Sequence, residues 1–278
     1  MIILCNRNAG RSKEEILFFK NLDDVDLEVI EEKCFLERVE QLANTRDRVV
    51  VMGGDGTVNK AIQVLAHTNT ALGIIPAGRG NDFSRYLGIP QDPLDALSIA
   101  RKGLKTKVGL GKVAGRYFCN SLGVGFDAYI ISLVNRYGKD SYKFTTFKNL
   151  FDFPSFKISI EATLTDGSKI SLEKEVLMAV FGNGITEGGG IRISHKKDIS
   201  EKFLSLTLVE DLPTISRLIN FPLFLTSYFD LFNSVQNFNI VRADLEFEKL
   251  TKKHIDGDRF MKDFGRVEFC PEALTVLV

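Results

Sequence analysis

The sequence predicts two units: an α/β unit with a parallel sheet and crossover helices over residues 1–106, followed by a mostly antiparallel β-sandwich over residues 107–278. Three observations carry this. Short β-branched runs alternate with helix-like stretches up to about Thr106, which is the order of a parallel sheet wrapped by helices. Beyond Thr106 the pattern changes to strand after strand. The chain has 278 residues, of which 44% are hydrophobic and 26% charged, enough to bury two modest cores.

In the first unit the expected strands are Ile2 to Cys5, Leu27 to Ile30, Val49 to Met52 and Ala71 to Ile75, and the expected helices are Ser12 to Lys20, Phe35 to Ala43, Thr57 to Ala66 and Pro93 to Lys102. In the second, strands are expected at Lys112 to Val113, Arg116 to Ser121, Phe156 to Leu164, Lys169 to Leu172, Val176 to Phe181, Phe203 to Glu210, Phe238 to Phe247, Arg266 to Phe269 and Leu274 to Val278. Thr165-Asp166-Gly167 supplies one hairpin turn. Helical interludes are expected near Phe126 to Arg136 and Pro213 to Phe232; the phenylalanine-rich Phe221 to Phe232 could dip into a bilayer to reach a lipid, but with no Lys or Arg face it reads rather as a helix packed on the sandwich. No repeat and no Gly, Ser or Pro-rich linker separates the units, so a cleft between them is the default ligand site.

Thirty-six basic and thirty-six acidic side chains cancel, so no global field recruits nucleic acid or an anionic membrane. The four cysteines, Cys5, Cys34, Cys119 and Cys270, are scattered, which argues against zinc and against a disulfide framework and for a reducing cytoplasm. The apolar start, Met1 to Cys5, is too short for a signal-peptide core, and no run of about 18 apolar residues can span a bilayer.

The chemistry sits in glycine turns. Val49-Val-Val-Met-Gly53-Gly54-Asp55-Gly56-Thr57-Val-Asn59 runs from a buried strand through a glycine turn into a helix. Such a turn suits phosphate, because glycines let backbone N–H groups approach an anion at a helix N-terminus and Thr57 can cap that helix or touch an oxygen. Asp55 would repel phosphates unless a divalent cation lies between, and magnesium resolves that conflict. Asn6-Arg-Asn8-Ala9-Gly10 follows the first strand, and Pro76-Ala-Gly78-Arg79-Gly80-Asn81-Asp82-Phe83 follows the fourth. The carboxyl ends of successive parallel strands lie along one sheet edge, so three such turns can converge there.

These residues resemble the diacylglycerol kinase catalytic domain family, which includes bacterial lipid kinases and is related to sphingosine kinases and more distantly to NAD kinases. The matching stretches are Asn6 to Gly10, Gly53 to Asn59, Ile75 to Phe83, Gly123-Val-Gly-Phe-Asp-Ala128, Gly182-Asn-Gly184 with Gly188 to Gly190, and Asp256-Gly-Asp258. The resemblance implies a nucleotide-binding first domain, a β-sandwich second domain that takes the lipid, and transfer of the γ-phosphate of ATP to the hydroxyl of diacylglycerol or a similar lipid. It implies a cytoplasmic protein peripheral to the membrane, with a lipid partner and no nucleic acid. Residues Asn6, Asn8, Ala9, Gly10, Gly53, Gly54, Asp55, Gly56, Thr57, Asn59, Gly78, Arg79 and Asn81 would bind the nucleotide, Asp55 and Asp82 would hold Mg2+ through water, and Asp258 would take the proton from the lipid hydroxyl.

Three single positions and one segment depart from the family's pattern: Arg79 replaces the usual Thr, Lys60 the usual Glu, Asp258 the usual Glu, and Ser200, Glu201 and Lys202 an Asp-Asp-Gly that binds a structural magnesium. Arg79 and Lys60 both add positive charge near the expected phosphates. Other readings are an NAD kinase-like enzyme, although its Thr-Gly-Ser-Thr-Ala-type segment is absent, and a catalytically inactive nucleotide- or lipid-binding homologue. A dinucleotide site at Gly123 to Ala128 lacks the expected βαβ context. Of the histidines, His67 and His195 read as solvated and His254 as structural, bordering the site.

Overall fold

The computed structural model describes residues 1–7, 13–137, 148–150, 152–187, 191–192, 198–213, 216–217, 234–248 and 251–278. They form two compact units, Met1–Leu110 with Cys270–Val278 and Gly111–Phe269. The sequence expectation divides the chain at 106/107 and gives all of residues 107–278 to the second unit, whereas the units divide at 110/111 and the C-terminal residues Cys270–Val278 belong with the first.

The first unit contains β1 (Ile2–Asn6), α1 (Lys13–Lys20), β2 (Asp26–Ile30), α2 (Glu32–Leu42), β3 (Arg48–Gly53), α3 (Asp55–Leu65), β4 (Ala71–Pro76), α4 (Asp82–Tyr86), α5 (Pro93–Lys102) and the start of β5 (Lys105–Val113). The strands are parallel in the order β2-β1-β3-β4, with Ile3 beside Val50 and Val49 beside Leu72. Val49, Val50, Val51 and Met52 are all fully buried, which is why β3 reads as an unbroken apolar run and not as an alternation. The helices cover the sheet through periodic stripes, as with Phe35, Val39 and Leu42 of α2. α5 begins where Asp92 accepts hydrogen bonds from the Leu94 and Asp95 N–H groups at 2.9 and 3.1 Å, with Pro93 at the first helical position. The short helix α4 is absent from the sequence expectation, since five residues are too few to show a helical period.

The second unit contains β6 (Arg116–Phe118), β7 (Ser121–Gly125), α6 (Phe126–Tyr137), β8 (Phe156–Leu164), β9 (Lys169–Gly182), β10 (Thr186–Glu187), β11 (Ile191–Arg192), β12 (Leu204–Glu210), β13 (Val235–Phe247), β14 (Lys253–Ile255), β15 (Asp258–Arg259) and the first residues of β16 (Arg266–Leu277). Its pairings are antiparallel. β9 pairs with β8 through its first half and with β7 and β12 through its second, while β13 pairs first with β12 and then with β8. β12 and β13 carry register shifts, at Val209/Glu210 against β9 and at Ile240/Arg242 against β8, where a local irregularity bends the strand. The runs expected as two strands at 169–172 and 176–181 are therefore one long β9, and those at 266–269 and 274–278 are one β16.

Phe118, Ile158, Phe181, Leu206 and Val267 fill the interior, and a second apolar cluster of Phe126, Ile130, Leu150, Leu177 and Val209 seats α6. The β8-β9 turn is as expected: Gly167 has φ +83°, and Asp166 accepts hydrogen bonds from the Ser168 N–H and hydroxyl. Most of the helix expected at 213–232 lies outside the described residues.

Candidate functional site

Two of the three glycine turns of the first unit are visible as a single construction. β3 delivers Gly53 and Gly54 to the start of α3, and β4 delivers Ala77 to Asn81 to the start of α4. The turns touch through their glycines. A Cβ on Gly78 would lie 2.6 Å from the Gly54 Cα, so only glycine permits this approach. Asp55 ties the turns together: its Oδ2 accepts the Asn81 N–H at 2.8 Å, and its Oδ1 faces the Phe83 N–H at 3.4 Å. Asn81 sits in the left-handed region at φ +51°, which Asn tolerates better than most residues. Its side chain accepts the Gly78 N–H at 2.9 Å and donates to the Gly78 carbonyl at 2.9 Å and to Gln91 Oε1 at 3.0 Å.

Asp55 therefore orients the third turn. Asp82, between the two amides that Asp55 accepts, is buried at 3% exposure. The donor set fits magnesium, which asks for one or two carboxylates and keeps its remaining positions for water and phosphate. Among the described residues no three His, Cys, Asp or Glu side chains gather around one point. Gly54 has no side chain with which to cap α3, and beyond its chain neighbours and the helix's own backbone nothing lies within 4 Å of where a Gly56 Cβ would stand, so this helix start is open to an anion. Thr57 and Asn59 are buried on α3, Thr57 against Gly53 and Asn59 accepting from Gln63 Nε2 at 3.2 Å. Asn6 is buried at the end of β1, whereas Asn8, Ala9 and Gly10 lie outside the described residues.

The two extra cations differ. Arg79 is exposed on the third turn, whereas Lys60 forms an ion pair with Glu32 at the start of α2, which neutralises its charge locally. In the second unit Glu201 accepts the Asp198 N–H at 2.9 Å within a local turn. His195 and Gly188 to Gly190 lie outside the described residues.

Asp256-Gly257 is the two-residue turn of the β14-β15 hairpin, with φ +48° and +84°, the conformation for which Asp-Gly is favoured. In the sequence this motif enters through the resemblance, while the Asp-Gly turn it encodes is absent from the expected turns. The Asp256 carboxylate accepts three backbone amides, Cys119 N–H at 3.0 Å, Asn120 N–H at 2.8 Å and Ser121 N–H at 2.9 Å, and the Cys119 thiol lies 3.3 Å away. The same segment is held from the other side by Asn183, which donates to the Cys119 carbonyl at 3.0 Å. Asp256 and Asn183 thus fasten the loop between β6 and β7. Beyond the turn Asp258 is exposed, its Oδ2 3.5 Å from Arg116 Nη2. His254, 1% exposed, has Nε2 2.7 Å from Asp127 Oδ2.

Residues 1–113 match the model of the diacylglycerol kinase catalytic domain family. A Mycobacterium tuberculosis protein named diacylglycerol kinase is 32% identical over 179 residues, covering 61% of this chain and 57% of that one. The chain thus spans a little over half the length of the mycobacterial relatives it matches. A Chromohalobacter salexigens protein named "Probable lipid kinase YegS-like" is 26% identical over 236 residues, 82% of this chain and 74% of that one. A crystal structure of a diacylglycerol kinase from Bacillus anthracis superposes with a TM-score of 0.75 at 22% identity, covering 99% of this chain and 95% of that one. No described helix is long and apolar enough to cross a membrane. The first 113 residues of this chain therefore match the diacylglycerol kinase catalytic domain family, and the whole chain shares the fold of the Bacillus anthracis structure.

Proposed function

We propose that the chain is an ATP-dependent lipid kinase that transfers the γ-phosphate to the hydroxyl of diacylglycerol or a similar lipid, working in the cytoplasm at the membrane surface. The observation that carries this reading is the fusion of the Gly53 to Thr57 and Gly78 to Asp82 turns at the ends of β3 and β4, where the two glycine backbones meet and the Asp55 carboxylate bridges one turn to the other. Phosphoryl transfer asks for positioning and charge neutralisation more than covalent chemistry. The first unit is the nucleotide domain: the glycine turns and Arg79 bind ATP. Asp55 and Asp82 are the residues that would hold Mg2+ through water, for the charge neutralisation that the transfer requires. In the second, lipid-binding unit, Asp258 accepts the proton of the lipid hydroxyl, and its exposure leaves it reachable.

The test is a labelled-ATP screen against mixed micelles carrying diacylglycerol or other long-chain alcohols, with NAD in parallel. Magnesium-dependent labelling of a lipid, lost in Asp258→Asn, is the expected result. Labelling of NAD alone would replace the proposal with the NAD kinase reading, and no labelling of any acceptor would leave a nucleotide- or lipid-binding homologue.

A further inference from the structure

We infer that His254 and Asp127 form a buried relay that positions the hairpin bearing Asp258, an inference that rests on the kinase reading only for its catalytic consequence. His254 lies on β14 opposite Gly123 of β7, and Asp127 lies in the first turn of α6. Both side chains occupy the space above Gly123: a Cβ there would stand 2.1 Å from His254 Nε2 and 2.2 Å from Asp127 Oδ2. The missing side chain of Gly123 is therefore what admits the pair.

The ring's protonation follows from the contacts of its two nitrogens. The Gly257 N–H lies 3.3 Å from His254 Nδ1, and an amide can only donate, so Nδ1 is the acceptor. The proton of the neutral ring is then on Nε2, where it is donated to Asp127 Oδ2 at 2.7 Å. The chain of contacts runs from the start of α6, through the imidazole, to the backbone of the Asp256-Gly257 turn, and Asp258 is the next residue along.

His254 is too deeply buried to touch a substrate, so it is a positioning residue and not a catalytic one. Its work is distinct from that of Asp256. The Asp256 carboxylate fastens the β6-β7 loop, whereas the Gly257 N–H directed at the ring fixes the far side of the turn. An exposed carboxylate on a short hairpin keeps its direction only if the hairpin cannot rock, and a small misplacement of a reacting group costs up to about 100-fold in rate.

The experiment compares His254→Gln and Asp127→Asn, each alone and combined with Asp258→Asn, after urea unfolding has shown that the variants fold. Gln can still donate to Asp127 but does not return an acceptor to the Gly257 N–H. Three readouts are expected: nitrogen spectra of the wild type with His254 protonated at Nε2, faster amide exchange in the 254–260 peptide of both variants, and a fall of about tenfold or more in turnover at unchanged KM for ATP. In the Asp258→Asn background the same substitutions should cause no further fall, because they act through Asp258. A ring protonated at Nδ1, wild-type exchange at Gly257 in both variants, or losses that add fully to that of Asp258→Asn would each overturn the relay. If the wild type labels no lipid the kinase reading fails, while tautomer and exchange still decide the relay.

Discussion

Asp256→Asn replaces the oxygen that fastens the β6-β7 loop while leaving shape and backbone almost untouched. Asn accepts the left-handed conformation at φ +48° as readily as Asp, so the substitution isolates the carboxylate. An Asn placed with its oxygen toward the Asn120 and Ser121 amides keeps two contacts, at 2.8 and 2.9 Å in the wild type. Its NH2 then faces the Cys119 N–H, formerly 3.0 Å from Oδ2, and puts donor against donor. One hydrogen bond to a charged group is lost, worth about 1.5–3 kcal/mol, and the two that remain lose their charge assistance. The expected loss is about 2–4 kcal/mol, read as a lowered urea midpoint at constant m. Asp256→Ala should cost about 3–4 kcal/mol more, since it also strands the Asn120 and Ser121 amides, about 1 kcal/mol each, and leaves a residue with Cβ and no local hydrogen bond to hold the left-handed region. A midpoint for Asp256→Asn within about 0.5 kcal/mol of wild type would show that the three amides do not depend on the carboxylate and would refute the clamp.

Asp55→Asn should lower stability by about 1 kcal/mol, through the contact to the Asn81 N–H, and remove most magnesium-dependent turnover; full turnover would exclude the metal role. Gly123→Ala should cost about 3 kcal/mol in a urea titration, because the His254 and Asp127 side chains cannot both yield to a new Cβ, and a neutral result would mean that the pair is loosely held. Glu28, on β2, receives Nε and Nη2 of Arg38 at 2.7 and 2.6 Å, and this hydrogen bonding holds its carboxyl below the ordinary value of 4.5. The unfolded chain therefore binds the proton more tightly. The stabilisation is complete above that value and fades as pH falls through the lowered one, so wild type should lose about 0.5 kcal/mol more than Glu28→Gln on going from about pH 5 to pH 3.

The parallel unit was legible because β3 and β4 are buried on both faces and announce themselves as apolar runs, and because strand-glycine-helix turns have few other uses. The functions of individual polar residues were less legible, since a carboxylate that accepts backbone amides looks in sequence like one that holds a metal. In the sequence Asp55 stands as a nucleotide- and magnesium-binding residue, yet it also fixes Asn81, which lies 26 residues away and is invisible to any local pattern. Lys60 was read as charge for phosphates, but Glu32 meets it from α2, a pairing set by helix packing and not by sequence spacing. The Asp256-Gly257 hairpin carried a strong local signal, and the brevity of β14 and β15 hid the strands that flank it. Asp127 and His254, separated by 127 residues, had no signal beyond the glycine that makes room for them.

The end of β16 has a consequence for synthesis. Val276 lies beside Leu72 in the parallel sheet, the Leu104 N–H donates to the Val278 carbonyl, and the His67 N–H donates to the Ala273 carbonyl. Ribosomes make about 5–20 residues per second, and 190 residues separate the end of β4 at Pro76 from the start of β16 at Arg266, so β4 waits roughly 10–40 s for this neighbour. During that interval the β4 edge is a bare parallel template, open to strands of other nascent chains. Chaperone capture on the translating ribosome should be heaviest between the emergence of β4 and that of β16, and a circular permutant that places Cys270–Val278 ahead of Met1 should shorten it.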